Sequence, residues 1–352
     1  MFKGNGISKE QLTDTGEPCI LYGELYTKYK SEVISDVFSK TDIDTRKLVK
    51  SKANDVIIPC SGETAVDIAT ARCVPYDSIL LGGDLNIIRL YNCDGSFMSY
   101  QLNGKRKYDI AKVAQGVSVV HLYGDHLKGV KTYNPCLEEQ KKIGKFLSLL
   151  DERIATQNKI IEDLKKLKSA ISNKLLHNDK WTTYKIQDIA EIGRGRVISS
   201  VEIERQKHPL YPVYSSQTSN DGIMGYLDEY MFDGEYITWT TDGANAGTVF
   251  YRKGKFNCTN VCGTLKIQPN FDCYFVSLVL QQATQKYVSS NLANPKLMNN
   301  TMASIKIKMP NIETQRQLSK VFQTLDSCLL VHQRTCKMYL REKQYLLRQM
   351  FI

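Results

Sequence analysis

At 352 residues, with 42% hydrophobic and 9% aromatic side chains, the chain has room for two or three domains with buried cores and is not a disordered tail. Its 47 Lys and Arg against 37 Asp and Glu give a net charge of +10, which suits an anionic partner such as nucleic acid but does not require one. No apolar run approaches the ~20 residues that span a bilayer, and the start MFKGNGISKE has no apolar signal region, so a cytoplasmic protein without membrane association is expected.

In chain order, residues 1–133 read as a mixed α/β module, rich in Gly, Ser, Thr, Asn and Tyr, with short β-like runs such as DVIIP and SILLGGD. Residues 134–178 then carry a long helical pattern. Its stripe runs Ile143, Leu147, Leu150, Ile154, Gln157, Ile161, Leu164, Lys168, Ile171, Leu175, in alternating steps of four and three, with no Pro or Gly after Gly144. A repeat of 3.5 residues held this long predicts a coiled-coil seam. Residues 179–309 return to the mixed character, with runs such as YITW, GTVFYR and GTLKIQP. Residues 310–352 form a second helix with the stripe Leu318, Phe322, Leu325, Leu329, His332, Cys336, Tyr339, Lys343, Leu346, Met350. About 40 residues at 1.5 Å each gives helices of roughly 60 Å.

The two helices are copies. NPCLEEQKKIGKFLSLLD (Asn134 to Asp151) matches MPNIETQRQLSKVFQTLD (Met309 to Asp326) at Pro135/Pro310, Glu138/Glu313, Gln140/Gln315, Lys145/Lys320, Leu150/Leu325 and Asp151/Asp326. Every stripe position keeps the same offset, so the chain is two tandem units of about half its length. The predicted fold is α+β, with two mixed α/β modules alternating with two long helices. These pack as an antiparallel coiled coil with an internal pseudo-twofold repeat. Polar seam positions, Gln157 at the level of His332 and Lys168 at that of Lys343, are expected to fix register, which makes His332 a seam residue rather than a base. The modules resemble each other far less than the helices do. Two dissimilar readers on a symmetric scaffold suit an asymmetric two-part target.

The ten cysteines form no CxxC pair, and Cys258 and Cys262 in CTNVC lack a second Cys or His pair at finger spacing. Buried, reduced thiols and no metal are expected. An adenine methyltransferase would need Asp or Asn before Pro-Pro and an aromatic, and Asn134-Pro135-Cys136 and Asn294-Pro295-Lys296 both fail. A phosphate loop of the GxxxxGK[ST] kind fails where Gly129 is followed by Val130. No catalytic residue is expected. The rival readings are a self-contained DNA-modifying enzyme, which these failures disfavour, and a structural coiled-coil interaction protein without DNA, which leaves the modules unexplained.

The segment GNGISKEQLTDTGEPCILYGELYTKY (Gly4 to Tyr29) resembles a target-recognition-domain opening in the specificity subunits of type I restriction-modification systems. YPVYSSQTSNDGIMGYLDEY (Tyr211 to Tyr230) and YITWTTDGANAGTVFYRKGKFNCTNVCG (Tyr236 to Gly263) resemble another type of such domain. PCLEEQKKIGKFLSLLDERI and its copy near Pro310 are similar to the helical regions that follow each domain, in the order domain, helix, domain, helix. The resemblance implies a non-catalytic subunit that binds a bipartite double-stranded DNA target. Methylation and restriction then belong to modification subunits, which bind S-adenosylmethionine, and to restriction subunits, which use ATP and magnesium. One departure concerns the front of the chain. The second module opens with WTTYKIQDIAEIGRG, whereas the first begins almost at the matching Gly4 and Gly6, so the first domain is expected to lack about a dozen N-terminal residues against its own repeat.

Clustered hydroxyl and amide groups can pair with base edges, although such loops are also ordinary turn chemistry. In the second module the candidate readers are Gln217, Thr218, Asn220, Thr241 and Asn245, with Arg252, Lys253, Lys255 and Lys296 as phosphate clamps. In the first they are Tyr22, Glu24, Tyr26, Thr27 and Lys28 in YGELYTK, Ser61, Glu63 and Thr64 in SGET, and Gln115, Ser118 and His121 in AQGVSVVH. Tyr22 and Tyr26 read equally as core aromatics, and Glu24 as a structural carboxylate.

Overall fold

The computed structural model describes residues 1–176, 178–217, 219–289 and 294–351. Two compact units emerge, and their border cuts across the long helices. The first comprises Met1–Ile161 with Val331–Ile352, and the second Glu162–Leu330.

In the first unit the run DVIIP is the central strand Asp55–Pro59, buried at every residue. It lies between Leu85–Ile88 and Arg72–Val74, and Phe2–Lys3 closes the far edge of this antiparallel sheet. A second four-stranded sheet runs Ser39–Thr41, Glu17–Ile20, Leu80–Leu81, Val49–Lys50, and a short ladder joins Val120–His121 to Ser61–Gly62. The helix Gly95–Asn103 begins where Asp94 accepts from the Phe97 N–H at 2.9 Å. Its Phe97 and Tyr100 bury against Leu147 of one long helix, Leu347 of the other and Phe351 just beyond that helix's end.

The second unit is built on the sheet Ala190–Arg194, Cys262–Ile267, Glu235–Thr240, Val249–Lys253, all antiparallel. Trp239 fills its core, and its ring lies so close to Gly263 that a Cβ there would sit 2.2 Å from it. The helix Cys273–Ala283 is capped by Asp272, which accepts from the Phe275 N–H at 2.8 Å. A three-stranded sheet of Ile223–Leu227, Tyr211–Tyr214 and Asn257–Cys258 adds the outer layer.

The long helices span Leu137–Leu175 and Ile312–Gln349, 39 and 38 residues, close to the predicted length. Every stripe position except exposed Leu175 is at least partly protected from solvent. Within the first unit their halves run antiparallel: Asp151 meets Lys343, Asn158 meets Cys336, and Gln157 Oε1 lies 2.7 Å from His332 Nδ1. Within the second, Lys168 donates to Asp326 at 2.5 Å. The two seam lysines are therefore not levelled with each other, as the sequence reading had them. Each instead finds an aspartate, because an antiparallel pair sets an early residue of one helix against a late residue of the other and two buried ammoniums would repel.

The shared residues of the repeat now have a reason. Gln140 accepts the Asp94 N–H at 2.9 Å and donates to the Pro135 carbonyl, while Gln315 accepts the Asp272 N–H at 3.0 Å and donates to the Pro310 carbonyl. In both units the glutamine clamps the start of the module's helix to the long helix, satisfying polar groups that would otherwise be buried alone. The cysteine expectation needs correcting in part. Cys136 and Cys328 are exposed and Cys93 is half-buried, because the first two lie on solvent faces at the start and middle of the long helices.

Candidate nucleic-acid interface

In the second unit three polar loops converge. The first, Ser215–Gly222, is held in a left-handed turn, with φ of 50°, 53° and 83° at Asn220, Asp221 and Gly222, and closes where the Ser215 N–H donates to the Gly222 carbonyl at 2.8 Å. Asn245, from the second loop, donates to the Ser216 carbonyl at 3.2 Å. The second and third loops are tied by Gly243 N–H to Pro295 O at 3.0 Å and Leu297 N–H to Thr241 O at 2.8 Å. Gln217 and Asn220 both donate to the Ile223 carbonyl, and among the described residues their amide oxygens have no donor, so they can accept from a ligand. Thr218 lies outside the described residues.

The predicted clamps divide. Lys253 and Lys255 are exposed, Lys253 beside Glu235 at 3.1 Å and Lys255 with its ammonium 4.4 Å from the Tyr230 ring centre. Arg252 is a correction. Its side chain is buried, its Nη2 donates to the Asp221 carbonyl at 2.8 Å and its Nε to Thr238 Oγ1 at 3.2 Å. The guanidinium stacks 3.6 Å from the Tyr214 ring centre and 4.4 Å from that of Phe250. Burial pushes its pKa below the usual guanidinium value, with Tyr214 and Asp221 acting the other way. Arg252 therefore supports the loop from beneath, buried and held at Nε and Nη2, instead of standing on the surface as a clamp.

Thr241 is likewise corrected. It is fully buried, donates to Asp242 at 2.7 Å and accepts from Arg194 at 3.0 Å. Lys296 reaches the other Asp242 oxygen at 3.6 Å, so its charge is partly matched. Arg194 and Asp242, which organise this corner, were missed by the sequence reading. Asp242 stands inside the TTDGAN loop that drew attention to its neighbours.

In the first unit Gln115 and His121 exchange backbone hydrogen bonds of 2.9 and 2.7 Å, closing a hairpin whose tip holds exposed Ser118. His121 pairs in register with Ser61. Glu63 is exposed beside them, and the Tyr26 hydroxyl would lie 3.7 Å from a Cβ on Gly62. Tyr26 has its pKa raised, first by burial and then by Tyr22, Glu63 and Asp67, so it stays a proton donor. Gln115, Ser118, His121, Glu63 and Tyr26 thus lie on neighbouring surface. Ser61 itself is buried, with its hydroxyl on Asp84 at 3.1 Å. Tyr22, Thr27 and Lys28 line a neighbouring cavity of about 500 Å³.

Two candidates there are corrected. Glu24 is buried, accepts the Leu21 N–H at 3.0 Å and binds Lys28 at 2.6 Å and Ser39, so it is a structural carboxylate and occupies Lys28 as well. Thr64 accepts the Asp67 N–H at 3.1 Å and starts the short helix Ala65–Ile68, a capping role that uses its hydroxyl.

The pattern of the type I restriction modification DNA specificity domain matches residues 3–166 and again 178–337. The chain belongs to that family. Among relatives of the specificity family, a proposed type I specificity subunit of Mycoplasma pneumoniae is 36% identical over 222 residues, covering 60% of this chain and 90% of that one. The type I restriction enzyme MpnII specificity subunit of the same organism is 39% identical over 170 residues, 47% of this chain and 51% of that one. The solved S subunit of a type I system from M. genitalium is 19% identical and superposes with a TM-score of 0.73 over 100% of this chain and 93% of that one, a match of fold. The two stretches matched to the specificity domain each contain one module and reach into a long helix, the duplication read from the sequence. Among the described residues no helix is long and apolar enough to cross a membrane.

Proposed function

We propose that the chain reads a bipartite duplex DNA target, one half with residues 1–133 and the other with residues 179–309. In this reading 134–178 and 310–352 are scaffold and docking surface for modification subunits. The protein is non-catalytic: S-adenosylmethionine, ATP and magnesium are used by modification and restriction subunits, and the work takes place in the cytoplasm.

The observation that carries this reading is the contrast between the units. The long helices and their glutamine and aspartate clamps repeat, whereas the polar loop clusters beside them are built from different residues. A shared frame bearing unlike polar surfaces fits two independent readings of base edges.

The test is a domain exchange in the complex with modification subunits. Replacing Tyr184 to Lys308 with the second module of another specificity subunit should change one half of the methylated sequence and leave the other, as read by genome-wide methylation mapping. A change in both halves defeats the proposal. The purified chain alone, given S-adenosylmethionine, ATP and magnesium, should neither methylate nor cut.

A further inference from the structure

Near the end of the second long helix, in the first unit, a cleft of about 360 Å³ opens between two walls. One wall is the turn after the helix Gly95–Asn103, with Gly104 and Lys105, and the start of the next helix, Lys107–Val113, with Lys107 and Tyr108; the other is Gln344 and Arg348. The walls are close because residue 104 is glycine: a Cβ there would stand 2.6 Å from the Leu347 carbonyl oxygen.

The cations of this cleft are not tied up in ion pairs of their own among the described residues. The one acid of the Lys105–Asp109 segment is spent on Arg106, at 3.5 Å. No ion pair is formed by Lys105, Lys107 or Arg348 among the described residues. Lys107 is only half-exposed, and burial, then the nearby Arg72 charge, lower its pKa, with Asp67 and Glu32 acting the other way. The field at the helix C-terminus accounts for Arg348, the basic residue of its last turn, but not for two lysines on the opposite wall. Three cations that line one cleft and form no ion pair among the described residues leave positive charge available to an anion.

We propose that this cleft is a phosphate-binding site. Two ammonium point charges and a guanidinium fork suit a phosphate's separated oxygens. Tyr108, which is largely exposed, adds an aromatic face beside them. The occupant we favour is a backbone phosphate of the DNA that the module reads, so the inference rests on the proposed function; a free polyphosphate offers the same chemistry.

The experiment uses the full chain and a Lys105→Gln/Lys107→Gln/Arg348→Gln triple variant, with Lys105→Arg/Lys107→Arg/Arg348→Lys as a charge-retaining control. One arm measures affinity for duplex DNA across a range of potassium chloride concentrations, and the other titrates inorganic pyrophosphate by calorimetry. The triple variant should flatten the slope of log K against log salt by about one to three, near 0.9 for each phosphate released, with base preference unchanged and the control like the parent. Loss confined to the pyrophosphate arm keeps the site and assigns it to a free polyphosphate. Triple-variant behaviour equal to the parent in both arms overturns the proposal, as does a control as weak as the triple variant. A parent that binds pyrophosphate but no DNA at any salt refutes the DNA-reading function and leaves the cleft standing.

Discussion

Lys343 donates to Asp151 at 2.5 Å inside the first unit, and the same two repeat positions meet with their helices exchanged when Lys168 donates to Asp326 in the second. A tyrosine joins each aspartate, Tyr100 at 2.7 Å and Tyr274 at 2.5 Å, although the two tyrosines stand at different turns of their module helices. Surroundings separate the pairs. Lys343 and Asp151 side chains are 11% and 9% exposed and share Glu32, whereas Lys168 and Asp326 are 25% and 40% exposed.

Removing the buried lysine should therefore cost far more than removing its copy. Lys343→Met leaves Glu32 and Asp151 buried together without their ion-pair partner, with only the charge of Arg72 nearby, and is expected to destabilise the first unit by about 3–5 kcal/mol. Lys168→Met leaves a solvated aspartate and should cost about 0–1 kcal/mol. Hydrogen exchange resolved by segment measures both. Equal losses in the two units would show that burial does not set the difference.

Glu32 gives the first unit a pH dependence of definite sign. Burial raises its folded-state pKa, with Lys343 opposing and Asp151 reinforcing. The native state thus holds the proton to higher pH than the unfolded chain, whose carboxyl titrates near about 4.3. The stability from this group is full below that pH and lost as pH rises through the folded pKa. Glu32→Gln should remove that downward slope, so that urea midpoints of parent and variant converge at low pH and separate as it rises. Parallel curves would exclude Glu32 as the source.

The scaffold was legible because a stripe of period 3.5 reports directly which side chains are covered, and a tandem copy reports the same choice twice. Gln140 and Asp151 appeared as shared positions, but their purpose depends on Asp94, Tyr100 and Lys343, which are remote in sequence. The polar loops were legible by composition, whereas their convergence through Asn245 and Ser216 is tertiary. Arg252 misled because a basic residue near exposed Lys253 and Lys255 reads as a surface cation, and only the stacking on Tyr214 and Phe250 shows it inside.

Two glycines separate steric from conformational cost. Gly263→Ala forces a methyl group into the Trp239 ring, with 2.2 Å of separation to absorb, and should lose about 1–3 kcal/mol or more. Gly254→Ala meets nothing within 4 Å but must hold φ at +94°, so about 1 kcal/mol is expected. Urea unfolding orders them, and a Gly254→Ala variant less stable than Gly263→Ala contradicts the packing assigned to Trp239.

Arg252 and Lys255, three residues apart, should fail in different ways. Lys255 is exposed beside Tyr230, and under the proposed function it meets the DNA backbone, so Lys255→Ala should weaken binding to all sequences alike and reduce the salt slope by about 1. Arg252 is bound to the Asp221 carbonyl and to Thr238, beneath the loop that carries Gln217 and Asn220. Arg252→Ala removes the support of a left-handed turn, so the amides above it lose their fixed positions while the charge facing the DNA hardly changes. Base preference in the second half-site should relax, and the salt slope should stay that of the parent. Binding measured on matched and singly substituted duplexes at several salt concentrations decides. If Arg252→Ala flattens the salt slope and leaves base preference intact, the guanidinium reaches a phosphate after all and the loop stands without it.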